Sequence, residues 1–349
     1  MPKNQAPKIA YIYFSHPGGS EVYFDLLKKN IRNTISIKIP KKIEFFPFLI
    51  KPYIKKQIGS SLSSVEIIHT EEHMAHFLKG LGKKLVVTIH HNVLDENYQK
   101  YTNFSQKIYH YFWVKPNLKR TLQKTDKVIA VSKFTKKSIC NTFNISPRKV
   151  KVIYNGVDTN MFSPSKKKIT ERLPNRVRLL FVGNTIKRKG FDLLPLIMKR
   201  LGKGYELYFT SGLKDVKKIE KKFGLTKNMH PLGKLSLEKL VEEYNKCDLL
   251  IFPSRLEGFG YVITEAMACG KPVVSTNYSA MPEIVDNKNG VLCPLNDVDC
   301  FVEGVKTIVK KKAEGKDFAN NRKKIIEKFS IEIFLEKMNK FYNNILMEK

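Results

Sequence analysis

The stretch SRLEGFGYVITEAMACGKPVVS, residues 254–275, carries the pattern of a glycine turn, a helix and a strand. The run before it, DLLIFP, has the length of a buried strand, and the glycines of EGFG supply a tight turn. A helix is predicted from about residue 260 to residue 269, because Gly270 can adopt the left-handed conformation that ends many helices and Pro272 follows it. The order of this segment is therefore strand, turn, helix, strand.

Glu265 stands inside this predicted helix, whose other side chains are mostly apolar. The apolar positions cover most of the helix circumference: Val262, Ile263, Ala266, Met267 and Ala268. We expect such a helix to pack against a sheet, which would leave Glu265 half-buried. A carboxylate in that setting is costly unless it is hydrogen-bonded, so the sequence predicts a polar ligand or a protein partner, and we favour the ligand.

The same alternation of strand-like and helix-like segments recurs along the chain and predicts parallel sheets covered by helices. Strand-like runs cover 9–15, 65–70, 84–91, 127–132, 150–156, 176–184, 205–212, 248–254, 272–277 and 290–295. Two doubly wound, Rossmann-like α/β domains explain this better than one sheet, since open sheets rarely grow so large. We predict an N-terminal domain over 1–165 and a second domain over 166–328, with a linker near 162–175. A C-terminal helix over 329–349 is predicted to return to the first domain, and a binding cleft is predicted between the two domains.

Composition limits the class of protein. A chain of 349 residues can bury two cores, and its five scattered cysteines suggest reduced thiols in the cytoplasm, without disulfides or a metal site. The start of the chain lacks the apolar core of a signal peptide, and no run reaches transmembrane length, so we expect a soluble or peripheral protein.

The formal net charge of +31 predicts attraction to an anionic partner, unless it reflects a lysine-rich composition of the source organism. Two segments of the first domain, 41–57 and 107–120, interleave aromatic residues with lysine and arginine. Such segments favour an anionic membrane surface over the alternative of core aromatics beneath a solvated basic face. We therefore expect peripheral membrane contact and a lipid-linked or lipopolysaccharide acceptor.

Several glycine turns and strand ends are candidates for ligand contact. FVGNTIKRKGFDLL places Lys187, Arg188 and Lys189 before a helix, as in a diphosphate site or a solvated basic loop. The glycines of HPGGSE suit a ligand-binding turn and a purely structural turn equally well. His90 stands at the end of an apolar strand, where parallel α/β folds bind ligands, although a histidine there can also be a hydrogen-bonded core residue. No Ser-His-Asp order, Walker loop or His-Glu-x-x-His motif occurs, which argues against hydrolase and P-loop functions.

These motifs resemble the family 4 retaining glycosyltransferases, which have the GT-B fold. EGFGYVITE is similar to the family's motif of two glutamates separated by seven residues, here Glu257 and Glu265, and EAMACGKPVV and PEIVDNKNGVL extend the match. The similarity is strong over 176–295 and looser over 8–30, 84–92 and 126–163. Many members carry arginine where this chain has Asn184, and the charge of Arg188, four residues later, is a candidate replacement.

The resemblance implies a retaining, metal-independent transfer of a hexose or N-acetylhexosamine from a nucleoside-diphosphate sugar, with UDP favoured over GDP and no cofactor. Glu257, Lys189, His90 and Arg188 would form the catalytic group, with Glu257 on the donor sugar and the two cations on the diphosphate. Donor-binding positions would be Gly18, Gly19, Gly183, Asn184, Ser211, Lys234, Leu235, Gly258, Phe259, Gly260, Tyr261 and, on the ribose, Glu265.

Two other functions compete with this interpretation. Sugar-nucleotide epimerases share the architecture, although the extended motif around Glu265 is unlike theirs. A basic nucleic-acid-binding protein would explain the aromatic and basic segments but would leave both motif glutamates unexplained, so no specific nucleic acid is expected. The resemblance favours a nucleotide sugar and a cell-surface glycan or glycolipid acceptor as partners, at the cytoplasmic face of the inner membrane.

Overall fold

The computed structural model describes residues 9–14, 19–40, 43, 46–59, 64–72, 75–165, 176–211, 216–316 and 318–348. The chain divides into two compact units, one formed by residues 1–155 with 332–349 and the other by residues 156–331. Three parts of the sequence-based predictions lie outside the described residues. They are Gly18, positions 41, 42, 44 and 45 of the basic-aromatic segment 41–57, and most of the predicted linker.

The first unit contains a six-stranded parallel sheet in the order β2-β1-β3-β4-β5-β6. Its strands are β1 Ile9–Phe14, β2 Thr34–Ile39, β3 Ile67–Glu71, β4 Lys84–Ile89, β5 Lys127–Ala130 and β6 Val150–Val152. Its helices are α1 Gly19–Asn30, α2 Ile50–Ile58, α3 Glu96–Gln99, α4 Phe104–Tyr109, α5 Lys115–Lys124 and α6 Lys133–Phe143. Each pair of neighbouring strands is parallel, as expected when helices connect successive strands.

The second unit contains another six-stranded parallel sheet, in the order β9-β8-β7-β10-β11-β12. Its strands are β7 Val177–Phe181, β8 Tyr205–Thr210, β9 Met229–Gly233, β10 Leu249–Phe252, β11 Val273–Thr276 and β12 Gly290–Cys293. Its helices are α7 Leu194–Leu201, α8 Val216–Phe223, α9 Leu237–Lys246, α10 Tyr261–Ala268, α11 Met281–Ile284, α12 Val298–Ala313 and α13 Ala319–Phe329, and α14 Ile331–Met347 ends the chain. Counted within the unit, the order 3-2-1-4-5-6 is that of a Rossmann-type sheet, which confirms the predicted fold class.

The predicted helix around the second glutamate is α10, Tyr261–Ala268. Gly270, which follows it, has φ of 76°, the left-handed conformation that the sequence predicts for the end of the helix. Two strands, β2 and β9, were not predicted, and both lie at sheet edges. The letters MHPLG of β9 include a proline, a residue that edge strands tolerate and central strands do not.

Alternation along the strands divides the core of the first unit between the two faces of its sheet. Along β1, Ile9, Tyr11 and Tyr13 pack with α1 and with the C-terminal helix α14. The intervening residues Ala10 and Ile12 pack with α2 on the opposite face. Along β4, Leu85 joins the cluster beneath α2, and Val87 and Ile89, which share its face, pack against α5 and α6. The helices α2, α5 and α6 therefore cover the same face of the sheet.

A hydrogen-bonded polar network is buried beneath α1 and α14. The two ring nitrogens of His69 bond the hydroxyl of Tyr342 at 2.6 Å and that of Thr88 at 2.7 Å, and the hydroxyl of Tyr23 lies 3.1 Å from Thr88. Burial, together with a smaller contribution from nearby His90, lowers the pKa of His69 to about 3. The imidazole is therefore neutral at physiological pH and serves the packing of α14 on the first sheet.

No helix within the described ranges combines the length and the apolar character needed to cross a bilayer.

The fold makes a direct prediction about α14. Met338 is fully buried in the first unit, so Met338→Ala should lower the free energy of unfolding by ~2–5 kcal/mol, because it removes packed atoms and leaves a cavity. The matched control is Met347→Ala in the same helix, whose side chain is 74% exposed and which should change stability by less than ~0.5 kcal/mol. Urea denaturation followed by circular dichroism measures both, and equal effects would contradict the packing of α14 described above.

Candidate functional site

The candidate site of the second unit lies at the carboxyl ends of β7 and β10. These two strands pair directly, and the strand order runs outward from them in opposite directions. In open α/β sheets this point of reversal leaves a crevice beyond the strand ends, where ligands bind. The KRKG segment follows β7 and the EGFG segment follows β10, so the topology brings the two predicted motifs to one edge of the sheet.

The turn after β7 lies against the chain that follows β10. Lys187–Lys189 form a single 3₁₀ turn that ends at Gly190, which has φ of 73°. A Cβ atom at position 190 would lie only 2.0 Å from the carbonyl oxygen of Pro253. Glycine is required there both by the left-handed backbone and by this close approach.

Arg255 holds the same two loops together from below the surface. Its guanidinium donates to both carboxylate oxygens of Asp192, at 2.6 and 2.9 Å, to the side-chain oxygen of Asn296 at 2.6 Å, and to the carbonyl oxygen of Lys187. The residue is only 4% exposed, so these acceptors replace the water that the charge has lost. Sequence reasoning did not select Arg255, although it stands inside the PSRLEGFG lead-in.

Glu257 forms an ion pair with Lys189 at the base of the two loops. The Lys189 ammonium donates to Oε1 of Glu257 at 2.6 Å, and the hydroxyl of Ser254 donates to the same oxygen at 2.7 Å. The backbone N–H of Glu257 donates to the hydroxyl of Ser279 at 3.0 Å, which fixes the turn. The basic loop after β7 and the first motif glutamate are therefore in direct contact.

The charge on Glu257 is stabilised by its surroundings. Burial alone would raise the pKa of this carboxyl, but the Lys189 ammonium, the Arg188 guanidinium and the hydrogen bonds from Lys189 and Ser254 lower it below its ordinary value. Arg188 itself donates to the carbonyl oxygen of Leu256 at 3.0 Å. Two cations therefore lie around one carboxylate, and the exposed side chain of Asn184 adds no charge.

The N-terminus of α10 opens onto this edge of the sheet. Gly260 caps it with φ of 105° and offers no side chain to its first N–H groups, and the first turn contains no acidic residue. The first N–H groups of a helix have no intrahelical acceptor, and with the helix dipole they favour an anion. This geometry suits the phosphate contacts expected of the 258–261 segment.

Glu265 is half-buried in α10, as the sequence predicts, and it has a protein partner. The hydroxyl of Tyr244 in α9 donates to its Oε2 at 2.7 Å. Burial raises the pKa of Glu265 to about 7, and the hydrogen bond from Tyr244 offsets this only in part. One turn earlier, the buried hydroxyl of Tyr261 finds no hydrogen-bond partner among the residues that the structure describes.

The remaining predicted donor contacts of this unit follow neighbouring strands. The backbone N–H of Gly183, after β7, donates to the Thr210 hydroxyl at 2.9 Å. Ser211, after β8, donates its N–H to Gly233, while its buried hydroxyl has no partner within the described ranges. Lys234 is exposed and Leu235 half-buried after β9. All these positions therefore lie at the carboxyl ends of β7, β8, β9 and β10.

Two predicted contacts of the first unit, His90 and Gly19, lie in its described part. His90 directly follows β4, and its ring centroid lies 5.1 Å from that of Tyr23 in α1. Gly19 is the first residue of α1, and Gly18 is outside the described residues.

No group of three or more His, Cys, Asp or Glu side chains that could hold a metal ion occurs in the described part of the chain. The expectation of a metal-independent reaction stays a prediction.

Comparison with known sequences places the chain beside sugar-transferring enzymes. Residues 11–161 match the profile of glycosyltransferase family 4, and residues 163–325 match that of glycosyl transferases group 1. An uncharacterized glycosyltransferase of Methanocaldococcus jannaschii is 28% identical over 359 residues, which cover 96% of this chain and 97% of that protein. The O-antigen chain mannosyltransferase RfbU of Salmonella typhimurium is 29% identical over 221 residues, or 59% of this chain and 60% of that protein.

Solved structures show the same architecture. Sucrose-phosphate synthase of Thermosynechococcus elongatus has a TM-score of 0.79 at 18% identity and covers 98% of this chain and 100% of its own. The Anabaena protein HepE, in complex with UDP and glucose, has a TM-score of 0.78 at 19% identity and covers 97% of this chain and 99% of its own. At such identities these likenesses show the fold, which is GT-B.

The contacts of Arg255 predict a large effect on stability. Arg255→Leu should lower the free energy of unfolding by ~3 kcal/mol or more, because it leaves the half-buried Asp192 carboxylate without its partner. Arg200→Leu is the matched control, since its ion pair with Asp299 is exposed and should contribute ~1 kcal/mol or less. Chemical denaturation of both variants tests this, and similar losses would show that Arg255 does not hold the loops.

Glu265 predicts a pH dependence of stability. Its pKa is raised from 4.5 to about 7 in the folded protein, so the folded state keeps a proton that the unfolded state loses as the pH rises between these values. Relative to Glu265→Gln, the free energy of unfolding of the wild type should fall by ~3 kcal/mol from about pH 4 to about pH 8. Denaturation of both proteins across this range measures the difference, and parallel pH profiles would contradict the raised pKa.

Proposed function

The chain belongs to the family 4, group 1 glycosyltransferases, and on this premise we propose a specific reaction for it. We propose that it transfers a hexose or N-acetylhexosamine, with retention of anomeric configuration and without a metal ion, from a nucleoside-diphosphate sugar. The proposed acceptor is a lipid-linked, lipopolysaccharide or other cell-surface glycan. UDP is the favoured nucleotide and GDP the alternative.

The observation that carries this proposal is the arrangement at the reversal point of the second sheet. Lys189 and Arg188 surround Glu257, the N-terminus of α10 lies beside them, and Glu265 follows in the same helix. Cations and a helix N-terminus favour a diphosphate, whereas carboxylates accept hydrogen bonds from sugar hydroxyls. A nucleoside-diphosphate sugar needs both kinds of contact, side by side.

Each part of the donor has a proposed partner. The diphosphate lies on the N–H groups of 258–261 and on Lys189 and Arg188, and the donor sugar contacts Glu257. The ribose donates hydrogen bonds to Glu265, which explains why a half-buried carboxyl with a pKa near 7 is retained in α10. The other proposed donor contacts are Gly18, Gly19, Gly183, Asn184 and Ser211. Main-chain groups of Lys234 and Leu235 are proposed to contact the base of the nucleotide.

The chemical step is loss of the nucleoside diphosphate from the anomeric carbon. The bond between that carbon and the leaving oxygen breaks, and the diphosphate departs with the electron pair through an oxocarbenium-like state. Lys189, Arg188 and the α10 N-terminus stabilise the charge that develops on the leaving oxygen. The acceptor hydroxyl attacks from the departing side, its proton passes to the diphosphate, and His90 is proposed to lie near the reacting face of the sugar.

The acceptor is proposed to be presented at a membrane. The excess of positive charge, +31 for the chain, and the basic-aromatic segments of the first unit suit an anionic surface. The inner face of the cytoplasmic membrane is the proposed location, since nucleotide sugars and lipid-linked acceptors would meet there.

Nucleotide binding tests the donor site directly. A nucleotide that binds only the folded state raises the unfolding free energy by RT ln(1 + [L]/Kd), or ~2.7 kcal/mol at a hundred times Kd. Thermal unfolding in millimolar UDP, GDP, ADP or CMP should show stabilisation by UDP, which Glu265→Ala should remove. The control Glu242→Ala changes an exposed carboxylate of α9 and should keep the shift.

The same measurement separates the two neighbouring lysines. Lys189→Ala should weaken stabilisation by UDP, since it removes the cation that contacts Glu257, whereas Lys187→Ala changes an exposed side chain of the same turn and should not. Stabilisation by GDP alone would correct the base but keep the reaction class. If no nucleotide diphosphate stabilises the protein, the proposed donor site is wrong.

A further inference from the structure

The first unit exposes large apolar side chains on the helical segment 103–124. Phe104 is 76% exposed, Phe112 71% and Tyr111 59%, and Ile108, Tyr109 and Trp113 are exposed by 38–45%. None of the residues of α4 is buried. Soluble proteins rarely leave so many neighbouring apolar side chains in water unless the surface contacts a partner or a membrane.

The backbone of this segment presents three aromatic residues in succession. His110–Val114 form a π-helical turn, in which the N–H of Lys115 donates to the carbonyl oxygen of His110. Pro116 follows and has no N–H for the carbonyl oxygen four residues earlier, which accounts for the wider turn. His110 and Val114 point into the unit, so the three residues between them face outward.

The charge of the segment has one sign. Residues 103–125 contain five basic side chains, Lys107, Lys115, Lys119, Arg120 and Lys124, and no Asp or Glu. All five side chains are exposed. An anionic partner is therefore favoured over a neutral or basic one.

A second exposed group of the same composition lies on the same face of the sheet. Phe46 is 53% exposed, Phe48 70% and Leu49 42%, and they lead into α2, where Lys51 and Lys55 are also exposed. α2 and α5 both pack against the 75–78 turn and cover the sheet face described above. The two groups thus belong to neighbouring elements of one surface.

A pocket of about 500 Å³ opens beside α4. Leu94, Ile108 and Phe112 supply apolar lining, and Lys107 and Lys115 supply positive charge. This combination matches a lipid, which has apolar chains and a phosphate headgroup.

We propose that this surface, Phe46–Lys55 with Phe104–Arg120, docks the protein on an anionic phospholipid bilayer. Phenylalanine and isoleucine insert at the level of the acyl chains, tyrosine and tryptophan lie among the headgroups, and the lysines contact lipid phosphates. A nucleic acid is disfavoured because Ile108 and Leu49 cannot stack on bases as aromatic rings do. The inference rests on the membrane contact proposed above and assigns the residues that make it.

Sedimentation with vesicles tests the docking surface. Wild-type protein should partition onto phosphatidylcholine vesicles that contain phosphatidylglycerol, and added salt should weaken the binding. Phe104→Ser with Phe112→Ser, and separately Lys107→Glu with Lys119→Glu, should each reduce partitioning by about tenfold or more. All four side chains are exposed, so folding should be unaffected.

Matched controls lie in the second unit. Leu196→Ser with Leu237→Ser changes exposed apolar residues, and Lys217→Glu with Lys221→Glu makes the same change of net charge. Both should bind vesicles as the wild type does. Equal losses in these controls, or no wild-type binding to the anionic vesicles, would overturn the proposal. Light scattering tests the alternative occupant. If the wild type is a dimer and the double variant Phe104→Ser with Phe112→Ser is a monomer, the surface binds a second copy of the chain, which would also overturn the proposal.

The nucleotide thermal shift, measured on the same variants without vesicles, separates the two proposals. If vesicle binding is absent while UDP still stabilises the protein, the docking surface is wrong and the transferase proposal stands. If vesicle binding depends on the named residues while no nucleotide stabilises the protein, the transferase proposal is wrong and the docking surface stands.

Discussion

The buried guanidinium of Arg255 is the interaction on which the candidate site depends. It joins the loop after β7 to the loop after β10 through Asp192 and the Lys187 carbonyl oxygen, and the contact of Gly190 with Pro253 closes the same junction. Because the two loops are held at this distance, Lys189 reaches Glu257. A charge in this position is stable only while all its acceptors are present, so the loops must be assembled together with the sheet edge.

The two motif glutamates lie close in sequence but in opposite electrostatic environments. Glu257 is surrounded by Lys189 and Arg188, which lower its pKa, whereas Glu265 has Tyr244 as its partner and a pKa raised to about 7. The first carboxyl is therefore anionic at neutral pH, and the second is divided between its two protonation states. Paired carboxyls whose surroundings separate their pKa values are a common feature of functional sites, and here the separation arises from a basic loop on one side and an apolar helix on the other.

Much of the fold follows from patterns that are local in sequence. The central strands of both sheets are short apolar runs, and the predicted end of α10 at Gly270 needs only a left-handed residue after an apolar helix. The sequence analysis did not predict β2 and β9, which are edge strands. An edge strand is hydrogen-bonded to the sheet on one side only and tolerates exposed residues, as in β2. β2 forms by pairing with β1, and β9 forms by pairing with β8. Because the pairing partner is another segment of the chain, the residues of β2 and β9 do not by themselves predict a strand.

The sequence by itself determined the fold class and the half-burial of Glu265, because glycine turns and apolar periodicity act over a few residues. The resemblance of the motif around Glu257 and Glu265 indicated the family. Only the tertiary structure decided which side chains those residues meet. Arg255 and Tyr244 were not selected, since an arginine beside a turn and a tyrosine in an amphipathic helix are usually exposed or packed. Their roles arise from contacts with residues 63 and 21 positions away, which the order of strands in the sheet brings together and no local pattern records.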